Sequence, residues 1–325
     1  MTHLTYLEAA VVGLVQGVSE MFPVSSLGHS VLIPAIVGGS WARDLNVATT
    51  ESPYLAFIVG LHVATAIALI IYFWRDWVRI VGGFFSSIRD RKVDTANQKL
   101  AWMIILATIP VGIVGLAFEH AFRVIFGKPV IAGIFLAVNG LILLAGERYR
   151  TRVSLAADSA IAEAREPAEL VGGPRHSADG RYQRQREQAG TVQADRRLAA
   201  MSYPQAVTVG SAQILALLAG ISRDGVTMVA GMTRGLSRED AARFAFLLAT
   251  PVILAAGALK IPDLLGPLGA GIHGQILLGS VLSGVGAYLS VRFLLRYLRT
   301  RTLTPFGAYC LIAGLASVAY LGLVK

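Results

Sequence analysis

EAAVVGLVQGVSEMFPVSSLGH, residues 8–29, and QAVTVGSAQILALLAGISRDG, residues 205–225, superimpose without a gap at a constant offset of 197 residues. Ala9 falls on Ala206, Val12 on Val209, Gly13 on Gly210, Gln16 on Gln213, Ser25 on Ser222 and Gly28 on Gly225. Each copy carries a short polar turn inside an apolar run: Pro23-Val24-Ser25-Ser26-Leu27-Gly28-His29 in the first, Gly220-Ile221-Ser222-Arg223-Asp224-Gly225 in the second. In lipid, non-helical backbone is tolerated only where it is buried in protein or lines a wet cavity. Broken helices in corresponding positions of two halves therefore point to a binding site.

The rest of the composition fits lipid as the solvent. Hydrophobic residues make up 54% of the chain and charged ones 15%, and the mean hydropathy is +0.60, well outside the range of a soluble domain. Six stretches, at about 53–74, 101–118, 128–146, 240–259, 273–295 and 304–323, approach or reach the ~20 apolar residues that a hydrocarbon core requires. The hairpin segments, about 5–38 and 204–236, are each interrupted by their polar turn and read as two half-length helices that enter the membrane and turn back. The expected fold is an all-α polytopic membrane protein of two inverted-topology repeats. Each repeat has one re-entrant helix-loop-helix hairpin and three spanning helices: residues 1–149, then 201–325. Between them, residues 150–200 are rich in Arg, Gln, Glu, Ala and Gly and read as a polar, disordered cytoplasmic linker.

The net charge of +9 reads as topology rather than nucleic-acid binding. Lys and Arg crowd three connections, Arg75 to Lys99, Arg148 to Arg197 and Arg292 to Arg301, which the positive-inside rule places in the cytoplasm. The first hairpin then enters from outside and the second from the cytoplasm, so that their polar turns meet near the midplane. The one cysteine, Cys310, lies in the last apolar span, so neither a disulfide nor a cysteine metal cluster is expected. Glu8 and the polar run from Ser19 interrupt the first apolar stretch, and no basic segment precedes it. No cleavable signal peptide is expected.

Intramembrane ionisable groups are costly and mark function. Gln16 and Glu20, four residues apart, project from one face of the half-helix that Pro23 ends. Ser25 and Ser26 add hydroxyls, and His29 follows on the same side of the next half-helix. In the second turn Arg223 lies between Ser222 and Asp224, and the helix beginning near Gly225 offers free amides and a dipole that favour an anion. A guanidinium there suits phosphate, which it grips with two parallel hydrogen bonds. The blander alternatives are a Glu20 that is merely a satisfied structural carboxylate, a His29 that only ties down a loop, and an Arg223 that simply pairs with Glu20 or Asp224.

The run Gln16-Gly17-Val18-Ser19-Glu20-Met21-Phe22-Pro23-Val24-Ser25-Ser26-Leu27-Gly28-His29 resembles the first signature of the bacterial undecaprenyl-diphosphate phosphatases of the bacitracin-resistance type. Ala219-Gly220-Ile221-Ser222-Arg223-Asp224-Gly225 is similar to their second signature, and Phe244 to Pro251 to a third recurring piece. The resemblance covers the chain apart from the linker. It implies an integral hydrolase of the bacterial plasma (inner) membrane that removes the terminal phosphate of undecaprenyl diphosphate and so recycles the cell-wall lipid carrier, with its site open to the outer face. By position it implies functional roles for Glu20, Ser26, His29 and Arg223, and Gln16 falls on the first member of the family's Glu/Gln pair; Gln16, Ser25, Ser222 and Gly225 are the candidate substrate-binding residues. It also implies a divalent cation, Mg2+ or Ca2+; in this chain the candidate ligands are Glu20 and Asp224, the latter from the chain's own residues rather than from the family pattern. Expected partners are the lipid diphosphate and membrane lipid, with no nucleic acid; a homodimer is the remaining candidate.

Four positions depart from the family pattern, one of them Leu27, which stands where a small polar residue is common. Gln16 stands where Glu is usual, Ala219 where Pro is usual, and Asp224 where Ser is usual. The first removes a carboxylate from the site and the last adds one beside Arg223. Ser26, His29 or an activated water are all open as the nucleophile. A secondary transporter or lipid translocase would share the inverted repeats but would not need Ser, His and Glu opposite an Arg. A phosphatase of the acid-phosphatase superfamily would need a second His after its Ser-Arg pair. His3, His29, His62, His120, His176 and His273 are the full inventory, and none follows Ser222-Arg223 closely.

Overall fold

The computed structural model describes residues 4–45, 53–126, 128–164, 192–266 and 270–323, and every helix and turn named below lies within them. The regular elements there are all helical. The first hairpin is α1 (Tyr6–Met21) and α2 (Ser26–Val37), followed by a short α3 (Gly39–Asp44). Then come α4 (Pro53–Tyr72), α5 (Trp74–Asp90), α6 (Ala96–Phe126) and α7 (Pro129–Ala164). After α8 (192–199), the second hairpin consists of α9 (Tyr203–Ser211), a 3₁₀ turn (Ala212–Leu217) and α10 (Arg223–Thr233). It is followed by α11 (Arg238–Leu265), α12 (His273–Tyr297) and α13 (Thr304–Leu323).

Five helices, α6, α7, α11, α12 and α13, are long and apolar enough to cross a membrane. A sixth candidate is the pair α4 and α5, which bend by 85° at the break between them. These are the six expected stretches. On α12 the residues Leu277, Val281, Val285, Leu289 and Phe293 form an exposed apolar stripe, the surface a lipid-facing helix presents where no water competes. By contrast, α11 buries Phe244, Phe246, Leu247 and Leu248 completely and sits in the core.

The two hairpins start with the same kind of cap. Thr5 and Glu8 form a capping box at the start of α1, and Ser202 and Gln205 form the same box at the start of α9, satisfying amide donors that a helix start would otherwise leave orphaned. Ser25 Oγ accepts from Gly28 N at the head of α2, as Ser222 Oγ accepts from Gly225 N at the head of α10. The packing also repeats. A Cβ on Gly13 would lie 2.5 Å from the carbonyl oxygen of Gly279 in α12, and one on Gly210 would meet Ala107 in α6. Small residues at these crossings let the backbones come close, which is how helices associate in lipid.

Two features differ from the sequence reading. The incoming half of the second hairpin leaves α-helical winding at Ser211 and continues as the 3₁₀ turn. That winding rises about 2.0 Å per residue instead of 1.5 Å, so the same number of residues carries Gly220 farther, to pack with φ +110 against the α7 backbone. Second, the basic stretch after Tyr72 is a helix, α5, rather than a plain loop. In the polar segment 150–200, α7 runs on as helix to Ala164 and 192–199 form α8. The middle of that segment lies outside the described residues.

Ion pairs gather the three basic connections at one end of the molecule. Arg79 of α5 reaches Asp195 of α8 at 2.8 Å. Arg243 of α11 joins Asp195 at 2.8 Å and Asp76 at 2.9 Å. Arg197 grips Asp240 with two hydrogen bonds of 2.7 and 2.8 Å, and the carboxylate holds the Arg197 guanidinium pKa above its ordinary value. Glu147 of α7 accepts from Arg238 and from Leu303 N, and Arg299 reaches Glu239 at 2.9 Å. The second hairpin opens at this end, between α8 and the start of α11. The first opens at the other: Gln275, near the start of α12, donates to the Leu4 carbonyl at 3.0 Å, whereas α12 finishes at the basic end.

Candidate active site

The two polar turns meet inside the bundle, and one side chain of α7 ties them together. Asn139, fully buried, donates from Nδ2 to the Pro23 carbonyl at 3.0 Å and accepts at Oδ1 from Ser222 N at 3.0 Å. Cys310 packs against the same spot, its sulfur 3.4 Å from Asn139 Nδ2. The turns are in van der Waals contact as well: a Cβ on Gly28 would lie 2.9 Å from Gly220 Cα, so glycine is required there for the turns to approach. Ser25 holds φ 68, an unusual conformation for a non-glycine residue and one that clusters at functional sites.

Glu20 is the hub. Its Oε1 accepts from Arg223 Nη2 at 2.7 Å. Its Oε2 accepts from Gln16 Nε2 at 2.9 Å and from the Ser26 hydroxyl in a short hydrogen bond. Arg223 Nε in turn lies 3.3 Å from Asp224 Oδ1. Glu20, Ser26, Gln16 and Asp224 are all buried, and a buried carboxylate at this depth requires such compensation. The chain Gln16–Glu20–Arg223–Asp224 thus joins residues about 200 positions apart. The N-termini of α2 and α10 adjoin it, so two helix dipoles and their free amides favour an anion at one place.

The other expected residues fall as follows. Ser25 and Ser222 use their oxygens as helix caps, and each hydroxyl keeps its proton to donate. Gly225 supplies the amide that Ser222 caps. His29 is turned to other partners: Nδ1 is 2.7 Å from the Ser25 carbonyl, and Nε2 is 2.7 Å from the Tyr309 hydroxyl, with the two rings stacked. Reading the motifs alone did not find His62, whose Nε2 lies 3.1 Å from Gln16 Nε2 and 3.4 Å from Glu20 Oε2. Nor did it find Asn139 or Tyr309. A histidine in an apolar span is itself a signal, and His62 carried that one.

Within this cluster two buried oxygens, Gln16 Oε1 and Asp224 Oδ2, have no hydrogen-bond partner among the described residues. Such acceptors suit a hard cation. Among the described residues no three His, Cys, Asp or Glu side chains converge into a ready cage. A cation here would complete its sphere with water and substrate oxygens, as Mg2+ commonly does.

Fold and site together define a multi-pass helical membrane protein with a buried acid, hydroxyl and guanidinium cluster set between two helix N-termini. The chain matches the family model described as bacitracin resistance protein BacA over residues 9–316, and it belongs to that family. It is 58% identical over 321 residues to an undecaprenyl-diphosphatase of Mycolicibacterium paratuberculosis, covering 99% of both chains. It is 52% identical to undecaprenyl-diphosphatase 2 of Frankia alni over 97% of each, and 36% identical to undecaprenyl-diphosphatase 2 of Chromobacterium violaceum over 97% of this chain and 98% of that one.

Proposed function

We propose that this protein hydrolyses undecaprenyl diphosphate to undecaprenyl phosphate and inorganic phosphate, returning the lipid carrier to cell-wall synthesis. The observation that carries the reading is the meeting of Ser26, Glu20 and Arg223 in one hydrogen-bonded cluster, in a chain 58% identical to an undecaprenyl-diphosphatase. The Ser26 oxygen attacks the terminal phosphorus while its proton passes to Glu20, to which it is already hydrogen-bonded. The bond from that phosphorus to the bridging oxygen breaks, and undecaprenyl phosphate leaves. Water then cleaves the phosphoserine, with Glu20 returning a proton to Ser26. Arg223 and the amides at the heads of α2 and α10 stabilise charge on the phosphoryl oxygens in the transition state. His29 binds and orients the Ser25 turn rather than taking the Ser26 proton, a role supported by its engagement at both nitrogens.

Glu20 and Asp224 would hold a Mg2+ or Ca2+ ion, whose chemistry is to neutralise charge on the phosphates. The inverted-repeat, re-entrant architecture is supported by the matching caps and glycine contacts of the two hairpins and by their openings at opposite ends. With the basic end in the cytoplasm, the first hairpin opens to the outer face, where substrate would enter. The test is phosphate release from undecaprenyl diphosphate by the purified protein in detergent, with and without a chelator. A translocase without hydrolytic activity would release none.

A further inference from the structure

The helix α5 presents a face that the bundle does not use. Trp74, Val78, Val81, Phe85 and Ile88 recur at four- and three-residue steps, and all five are exposed. The opposite face, Asp76, Ile80, Gly83 and Ser87, is buried: Asp76 meets Arg243 of α11, and Ser87 accepts from Trp102 Nε1 of α6. Arg75 and Arg89, also exposed, flank the apolar stripe on one side, and the Arg75 guanidinium lies 5.2 Å from the Trp74 ring. The helix is bent 85° from α4 and begins at the basic end, so it lies across the direction of the spans. Its stripe continues the exposed Ile67 and Ile71 of α4.

We propose that α5 is an in-plane docking helix for the anionic phospholipid surface at the basic end of the molecule. The apolar stripe enters the headgroup boundary while Arg75 and Arg89 engage phosphates, the division expected of an interfacial helix. Continuity with the lipid-facing surface of α4 and the basic flank both select this occupant. The test uses the full chain in bilayers with and without anionic lipid. Cys310 is fully buried, so a nitroxide reagent reports an introduced exposed thiol. Labels on Val81→Cys and Phe85→Cys should be reached by lipid-dissolved oxygen and shielded from an aqueous nickel chelate, with the reverse at Lys92→Cys. Arg75→Gln and Arg89→Gln should each lower the preference for spin-labelled anionic lipid over zwitterionic lipid by about fivefold. Nickel access at position 81 equal to that at 92, dipolar broadening between copies, or an unchanged lipid preference would each overturn the proposal.

A separate observation concerns His62, and this inference rests on the hydrolase reading above. Its Nδ1 is 2.9 Å from the Ile58 carbonyl and so carries a proton. The Gln16 atom 2.9 Å from the Glu20 carboxylate must be its amide nitrogen, since two acceptors would repel. The other amide hydrogen then points to His62 Nε2, which accepts it. We infer that His62 is a positioning residue: together with Glu20 it fixes the Gln16 amide so that the carbonyl Oε1, buried and unpartnered, is what Gln16 offers the site. In His62→Leu the amide is free to turn over. Turnover should fall, by up to about 10²-fold, with KM and the thermal midpoint little changed, and His62→Gln, which can accept at a similar place, should restore most of it. Wild-type turnover in His62→Leu, or equal losses in both variants accompanied by an equal drop in midpoint, would overturn the role. An inactive wild type would instead defeat the hydrolase reading and this inference with it.

Discussion

At the scale of single residues, Arg223 is asked to do two things, to neutralise Glu20 and to grip phosphate. A lysine can manage the first and not the second, because a point charge lacks the planar fork. Arg223→Lys should therefore fold and insert normally, yet lose about 10²-fold or more in turnover, the scale of losing one charge-stabilising group in the transition state. Near-normal phosphate release by that variant would remove Arg223 from the mechanism. Glu20 holds both Ser26 and Arg223, whereas Gln16 touches Glu20 and His62 only. Glu20→Gln should accordingly be far more damaging than Gln16→Ala in the same assay, and equal losses would make the pair structural.

The positions of Gln16 and Asp224 carry a related expectation. Asp224 is buried and one guanidinium away from Glu20, so the carboxylate that Gln16 lacks and the one that Asp224 adds lie in one connected network. Asp224→Ser should lower activity and weaken its dependence on divalent cation. Gln16→Glu introduced into that variant should recover part of both. Such coupling is measured by a double-mutant cycle and is expected only for neighbours; strictly additive changes would show that the two sites do not communicate.

At the scale of elements, the hairpins depend on Asn139 to hold one turn against the other. Asn139→Leu would strand the Ser222 amide, at about 1–3 kcal/mol for a buried group, and would leave the Pro23 carbonyl with only the weak Cys310 thiol donor 3.8 Å away. The expected result is a lower thermal midpoint together with reduced turnover, and an unchanged midpoint would mean that the turns hold their positions independently. How legible these elements were in the sequence follows from where the signal lay. The turns around Ser25 and Ser222 announce themselves because polar residues interrupt apolar runs, and Glu20, Ser26 and Arg223 lie in those turns. Asn139, His62 and Tyr309 come from spans without a motif, and a span's periodicity shows which face is buried but not what it is buried against. The helix α5 was legible in principle, since Trp74, Val78, Val81, Phe85 and Ile88 keep helical spacing. Its many arginines drew the reading toward a plain basic connection, and the 85° bend from α4 is a tertiary fact that no local pattern encodes.

At the scale of the whole molecule, the direction of each half decides which side of the membrane feeds the site. The ion pairs of Asp195, Glu147 and Glu239 collect the basic connections at one end, and α2 and α3 return the chain to the other. With the basic end cytoplasmic, Ser40 in α3 lies at the outer end and Lys92 and Arg301 at the inner. All three positions are exposed, while Cys310 is buried and silent to thiol reagents. In intact cells a membrane-impermeant maleimide should therefore label Ser40→Cys, and it should label Lys92→Cys and Arg301→Cys only after the membrane is opened. The opposite pattern would reverse the molecule in the membrane and make the cytoplasm the side from which the first hairpin, carrying Glu20 and Ser26, is reached. Labelling of Ser40→Cys and Lys92→Cys from the same side would go further: it would overturn the proposed inverted repeat, in which Glu20 and Arg223 come together from halves pointing in opposite directions.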